Sequence, residues 1–349
     1  MIIKDMIFKP QYSISDLLLS NIKRIAEITV DFNARRFSRV VLAQLEQRAK
    51  ELSVYSSTSI EGNPLPLTDV KRILKTRPAH IRDSEREVLN YNKALVDLNL
   101  ALKGAPRAFD LPLILGIQKT VTDELIEAYR SGCLREEPVF VNDPKTRQSV
   151  YLPPDHGDVS PLMQALLEYV KQSLGVVDPL IVAGVFHKQF VIIHPFVDGN
   201  GRTARLATKA LLAKMGVNTF HLFSFENYYN RDVTRYFREV GELGNYYDLC
   251  HSIDLTSWLE YFTAGIIDEL LRVKKGLERA GALSQNNLKA YHLALIAFIE
   301  KRGSISDQEY AKLTPRARPT RHLDFKKLIE LGIIERTGNG RASRYVLVG

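Results

Sequence analysis

The chain has 349 residues, 45% of them apolar and 25% charged, so it can bury sizeable cores, and its length suggests two or three domains. No apolar run reaches the roughly 18 residues of a membrane span, and the opening MIIKDMIFKPQYSISDLLL is broken by Lys4, Asp5, Lys9 and Pro10, so neither a membrane protein nor an exported one is expected. The formal net charge of +8 is concentrated after residue 283, where twelve basic residues face six acidic ones, and Cys133 and Cys250 show neither metal-ligand spacing nor a disulfide framework, which suits the cytoplasm.

In chain order, SSTSIEGN (residues 56–63) closes a helical stretch, with Gly62 as its stop and Pro64 just beyond. That leaves Glu61 as a lone carboxylate at a helix end, where a solvated side chain is the simplest reading. EVLNYNKALVDLNLAL and LPLILGIQKTVTDELIEAY both carry helical spacing. EPVFVNDPKTRQSVYLPP predicts a hairpin from two β-prone runs, Val139, Phe140 and Val141 and then Ser149 to Leu152, around Asn142-Asp143-Pro144. LIVAGVFHKQFVIIHPF predicts an apolar helix ending in a turn, and TARLATKALLAKMG a second one closed by Gly216. KKGLERAGALSQNN, residues 274–287, reads as the boundary before a last module. That module holds a helix over Leu288 to Lys301, a short helix opened by Ser306-Asp307, a basic helix around TRHLDFKKLIELG, and two strands about Gly338-Asn339-Gly340.

Between the two apolar helices lies HPFVDGNGRTAR, residues 194–205. Gly199 and Gly201 let the backbone aim its N–H groups into one concavity at a helix start, which forms an anion cradle. Arg202 and Arg205, three apart, can both reach phosphate oxygens. Asp198 offers the hard oxygen that Mg²⁺ takes, and the Asn200 amide can donate to phosphate. His194 is placed to act as a general base near neutrality. Taken singly, each piece has a plain alternative: a turn, a loop, or a solvated basic face.

The twelve residues match the Fic motif HPFx(D/E)GNGRxxR at every specified position, and the sequence resembles that family. The resemblance implies a mainly α protein: a Fic-type helical bundle core with a β-hairpin flap, followed by a winged helix-turn-helix. It implies an adenylyltransferase that moves AMP from ATP to a Ser, Thr or Tyr hydroxyl of a protein, with Mg²⁺ or Mn²⁺ as cofactor. His194 would be the base, Phe196 a core anchor, Asp198 the metal ligand and Asn200 an α-phosphate contact. The Gly199 to Arg202 amides would form the anion hole, with Arg202 toward the β-phosphate and Arg205 toward the γ-phosphate. The hairpin would be the flap that pairs with a target's backbone, or simply a cover for the core. In SFENYYNRDVTRYF, Tyr228, Tyr229, Asn230 and Tyr236 are adenine-pocket candidates or core aromatics, because their spacing departs from the commoner NRxxYY.

STSIEG also resembles the family's inhibitory motif (S/T)xxxE(G/N), through Ser57, Glu61 and Gly62. Glu61 would pair with Arg205 and displace the triphosphate. The expected organisation is an N-terminal helical region (1–100), a catalytic core (101–273), a linker (274–287) and the winged helix (288–349). Expected partners are ATP and a protein hydroxyl. DNA or a docking protein remains open for the basic module, as does a second copy of the chain; no membrane is expected. Removal of AMP at the same site, and a nucleotide-sensing DNA-binding regulator, are the alternative functions.

Overall fold

The computed structural model describes residues 8–34, 39–78, 80–103, 108–142, 148–215, 224–331, 333–338 and 343–347. These residues are mainly helical, and no helix among them is long and apolar enough to cross a membrane. They form two compact units: residues through Asp31 with Ala49–Leu270, and Phe32–Arg48 with the chain from Leu271 onward.

The first unit is built on α7 (Pro179–Ile193) and α8 (Asn200–Lys214), which pack on each other. Asp178 caps α7 by accepting from the Leu180 amide at 2.8 Å, and Pro179 supplies the fixed first-turn φ. Nearly every α7 side chain is buried, including His187, Lys188 and Gln189. Helices that are apolar all round belong to cores. Around this pair lie α4 (Asp83–Lys103) and α5 (Leu111–Val121), both against α8, and α6 (His156–Ser173) against α7. Earlier in the chain come α1 (Asp16–Ala34), α2 (Arg39–Ile60) and α3 (Leu67–Lys75). After α8 come α9 (Glu226–Arg231), α10 (Val233–Val240), α11 (Tyr246–Leu249) and α12 (Thr256–Asn287).

A small sheet sits on this unit. β1 (Val141–Asn142) pairs antiparallel with β2 (Ser149–Leu152), and β2 pairs parallel with β3 (Gly244–Asn245). Tyr151 pins β2 to the end of α7, its hydroxyl donating to the Ile192 carbonyl at 3.1 Å.

Several elements differ from the sequence reading. Only Val141 of the first β-prone run enters a strand; Val139 and Phe140 precede it, following Pro138, which has no amide to give a ladder. The tip residues 143–147 and Gly216 lie outside the described residues. The helix expected to run on to Tyr129 stops at Val121, because Thr122 turns its hydroxyl back to the Gln118 carbonyl and Glu124 adopts φ 54°. Residues 274–287, read as the boundary before the last module, are the end of α12; the run contains no proline to stop the helix. Residues before 100 form no separate body: α4 packs on α5 and α8, so Ala49 onward belongs with the core.

The second unit contains α13 (Ala290–Arg302), α14 (Asp307–Leu313) and α15 (Arg318–Glu330). A hairpin of β4 (Ile334–Thr337) and β5 (Arg344–Leu347) follows, with an additional bridge from Ile305 to Tyr345. Ser306 and Glu309 form a capping box on α14. Leu295, Ile299, Tyr310, Phe325, Leu328 and Tyr345 supply its core. Residues 339–342, the tip of the hairpin, fall outside the described residues.

Candidate active site

α7 ends at His194, whose backbone is left-handed at φ 50° and ψ 60°. A β-carbon makes that conformation unfavourable, so neighbouring bonds must hold it. The His194 amide donates to the Phe190 carbonyl at 3.0 Å, and its own carbonyl accepts from Arg135 Nε at 2.8 Å. Ring Nδ1 lies 3.2 Å from the Val191 carbonyl. A carbonyl only accepts, so Nδ1 carries the proton and Nε2 keeps its lone pair. Enclosure pushes the imidazole down to about 4, with the Arg135 charge adding to the effect against the pull of the Val191 carbonyl. The ring is therefore neutral at pH 7.

Pro195 and Phe196 turn the chain toward α8, and Phe196 is buried beside Phe190. Asn200 clamps this turn. Its Oδ1 accepts from the Phe196 amide at 2.9 Å and its Nδ2 donates to the Phe196 carbonyl at 2.8 Å. Asn200 was expected to reach phosphate; its carboxamide also closes the loop, with one Nδ2 hydrogen engaged on Phe196. Gln118, fully buried, adds a bond from Nε2 to the Asp198 carbonyl at 3.2 Å.

Gly199 caps α8 with φ 80°, and the first intrahelical bond runs from the Thr203 amide to the Gly199 carbonyl at 2.9 Å. The amides of Asn200, Gly201 and Arg202 therefore precede the helix's own hydrogen bonding, at its positive dipole end. What lies over them is a carboxylate: a β-carbon added at Gly201 would collide with Glu61 Oε1 and crowd Arg205 Nη1. α2 delivers that carboxylate. Its last turn closes through the Glu61 amide to the Thr58 carbonyl at 3.1 Å, and Gly62, at φ 94°, lets the chain leave.

Both arginines are occupied. Arg205 is fully buried; Nη2 donates to Glu61 Oε1 at 2.7 Å and to the Ser57 carbonyl at 2.9 Å, and Nε donates to Ser57 Oγ at 2.8 Å. Burial works against its charge, but the Glu61 carboxylate together with Tyr236 and Tyr91 holds its pKa above the ordinary arginine value. Arg202 bridges Glu87 Oε1 at 2.8 Å and Asp198 Oδ2 at 2.7 Å. Asn63 joins the two arms of this arrangement, because its Nδ2 donates to Glu87 Oε2 at 2.7 Å two residues beyond Glu61. Burial pushes the Glu87 carboxyl up against the attraction of Arg202. Two buried donors, Arg202 Nε and Arg205 Nη1, have no partner among the described residues. Orphaned cationic donors beside free helix amides suit an anion with several oxygens.

Asp198 has a side chain 45% exposed at the lip of the loop. It is the residue that would hold Mg²⁺, an ion that takes one or two carboxylates and otherwise phosphate and water. No group of three or more metal-binding side chains converges among the described residues, so such an ion would need most of its ligands from phosphate and water.

The structure brings His194, Asp198, Gly199, Gly201, Arg202, Arg205, Ser57, Glu61 and Gly62 to one place. It does not bring the aromatic candidates there as walls of an open pocket. Tyr229 and Tyr236 are buried and stacked on each other at 4.5 Å, and Tyr236 donates toward His187 Nε2 at 3.2 Å. These two are core residues, made so by α9 and α10 folding back over α12 with Trp258 and Tyr261. Tyr228 and Asn230 are half-buried. Four residues that sequence spacing did not single out emerge: Arg135, Gln118, Glu87 and Asn63. In the sequence they sit in ordinary loop and amphipathic contexts, with no local signal to mark them.

Residues 108–212 match the model of the Fic/DOC family. The chain is 30% identical over 217 residues to the protein adenylyltransferase Fic of Aedes aegypti, covering 57% of this chain and 42% of that protein. The chain thus spans less than half the length of that curated relative. Its fold is like that of a Fic family protein from Desulfovibrio desulfuricans G20, with TM-score 0.63 and 21% identity over 98% of this chain and 99% of the other. A Fic domain containing signaling protein from Bacteroides thetaiotaomicron is also similar, with TM-score 0.60 and 18% identity over 74% of this chain and 97% of that one.

Proposed function

Residues 108–212 form a Fic/DOC family domain, and from that premise we propose that the chain is a protein adenylyltransferase held inactive by its own Glu61. The observation that carries the reading is the 2.7 Å pair between Glu61 and Arg205, lying over Gly201 at the start of α8. That is where the outer phosphates of ATP would bind.

In the transfer, a target hydroxyl attacks the α-phosphorus of ATP, and the bond from that phosphorus to the bridging oxygen of the β-phosphate breaks. Pyrophosphate leaves, and the hydroxyl proton passes to His194 Nε2, which is free to take it because Nδ1–H faces Val191. The negative charge of bound ATP raises the imidazole from its low resting value toward neutrality. The α8 amides and the two arginines bind and orient the phosphates. Mg²⁺ at Asp198 would supply charge neutralisation for the phosphates. With Glu61 in place, Arg205 and the space over Gly201 are taken, so the triphosphate cannot extend along the helix start. Glu87 holds Arg202 in the same way.

Mass spectrometry of Glu61→Gly protein after incubation with ATP and Mg²⁺ tests this reading. The expected product is a mass gain of one AMP per modified hydroxyl, absent in Glu61→Gly/His194→Ala. Equal incorporation by wild type and Glu61→Gly would remove the inhibitory role of Glu61.

For the second unit, three helices and a hairpin support a winged helix. Arg318 on α15 is 87% exposed and Lys326 64%, and these would contact nucleic acid phosphates. A filter-binding titration with duplex DNA over a salt series tests this: affinity should fall steeply with salt, and no retention at low salt would reject it.

A further inference from the structure

We propose that Arg135 is the positioning residue of this site: its guanidinium ties His194 to both sides of the neighbouring hairpin, so that the imidazole and the flap keep a fixed spacing. The proposal rests on the adenylyl-transfer reading for its activity arm only.

Arg135 is 4% exposed, yet it forms no ion pair among the described residues. Its bonds go to backbone carbonyls from three separate segments: Nε to His194 at 2.8 Å, Nη1 to Glu137 at 3.1 Å and Nη2 to Pro154 at 2.5 Å. Its own amide donates to the Pro195 carbonyl at 3.0 Å. Glu137 leads into β1 and Pro154 follows β2, so one side chain grips the two ends of the hairpin and the turn that carries the imidazole.

A buried cation whose hydrogen bonds go to neutral carbonyls is costly, and burial lowers the Arg135 pKa, with the charge of Asp155 opposing it. A lysine could not replace it in kind, because only a planar fork presents donors in these three directions at once. The bond to His194 also falls at the one non-glycine position of the loop with a left-handed backbone. Fixing that carbonyl helps to hold the left-handed turn at the end of α7, the backbone conformation from which the ring lies against the Val191 carbonyl. The imidazole's tautomer therefore depends on a side chain that never touches the ring.

The test compares Glu61→Gly with Glu61→Gly/Arg135→Gln and Glu61→Gly/Arg135→Lys. With Arg135→Gln the rate of AMP incorporation at saturating ATP should fall about 10- to 100-fold, the loss that a misplaced catalytic group produces. The ATP dissociation constant from calorimetry should stay within about twofold, since the phosphate-binding side chains are untouched. Arg135→Lys should fall between, because it keeps the charge but cannot span three carbonyls. An unchanged rate in Arg135→Gln would overturn the proposal, as would a rate loss matched by an equal loss of ATP affinity.

A second readout needs no turnover. Imidazole ¹⁵N spectra, with His194 assigned by His194→Ala, should show the Nδ1–H tautomer in the parent and a mixture of tautomers in Arg135→Gln. An unaltered His194 spectrum would refute the positioning role. If Glu61→Gly incorporates no AMP, the adenylyl-transfer reading fails while these spectra still decide the role of Arg135. Should Arg135→Gln not fold, the Arg135→Lys spectrum carries the same decision.

Discussion

Arginines are held by carboxylates in both units, but the partners come from different distances along the chain. In the first unit Arg205 takes Glu61, just past the end of α2, and Arg202 takes Glu87 on α4, each more than a hundred residues earlier. In the second, Arg316 takes Asp324, Arg321 takes Asp307 and Arg344 takes Glu309, all within one small module. Asp324 is 4% exposed and also accepts from Tyr310, so its pair is part of that module's core. Glu61 keeps a side chain 28% exposed beside the free amides of a helix start. The same chemistry thus serves as architecture in one place and, on the proposed inhibitory reading, as a displaceable occupant in the other. A count of basic residues overstates the charge the second module can offer a ligand, since several of its guanidinium groups are already engaged.

The comparison can be broken or sharpened by substitution. The largest effect is expected at Lys209–Glu226, a 2.7 Å pair buried in the first unit and joined by Ser53 and Tyr91. Lys209→Met would leave a buried carboxylate unpaired and should cost about 3–5 kcal/mol in urea unfolding. A cost near zero would place this pair with the displaceable ones. Next, Asp324→Asn should destabilise the second module by about 1–3 kcal/mol, because buried donors lose a charged acceptor, while AMP incorporation by a Glu61→Gly background stays as it was. Third, stability should depend on pH through His187. Burial, then the Arg205 charge, push this imidazole down to about 3, so the unfolded chain binds the extra proton below its ordinary pKa near 6.5. Stability from this group is full above that value and declines as pH falls toward 3, by about 1.4 kcal/mol per pH unit. Chemical denaturation at a series of pH values reads the slope, and His187→Gln should flatten it. The smallest effect is expected for Glu87→Gln, which loosens Arg202 but leaves Glu61 over Gly201: incorporation should rise by about twofold to fivefold in the radiolabel assay. A rise as large as that of Glu61→Gly would make the two carboxylates equal partners in inhibition.

What the sequence disclosed follows the same division between local and distant contacts. HPFVDGNGRTAR was legible because loop, cap and both arginines lie within twelve consecutive residues, where spacing alone places side chains. The helix end at Glu61 was legible through Gly62 and Pro64. The closure of the Asn200 carboxamide on Phe196, four residues back, went unread, because no periodicity reveals a loop bond. Tyr229 and Tyr236 became core because α12, downstream, supplies Trp258 and Tyr261 to stack on them. Arg135 left no trace in the pattern GCLREEP, since its acceptors are backbone carbonyls 2, 19 and 59 residues away, and backbone acceptors have no sequence identity to read.

Ser53 is anchored to Glu226 and Lys209 two turns before Glu61, while the segment past Ile60 is secured chiefly by a few turn bonds and Asn63. Loosening the acid from Arg205 therefore asks for no movement of α2 as a body. Fraying of its terminal loop would suffice, a rearrangement on the nanosecond-to-microsecond scale of loops. On the proposed inhibitory reading, warming or mild denaturant should thus raise AMP incorporation well before the protein melts, and a ligand gripping a handful of residues would do the same.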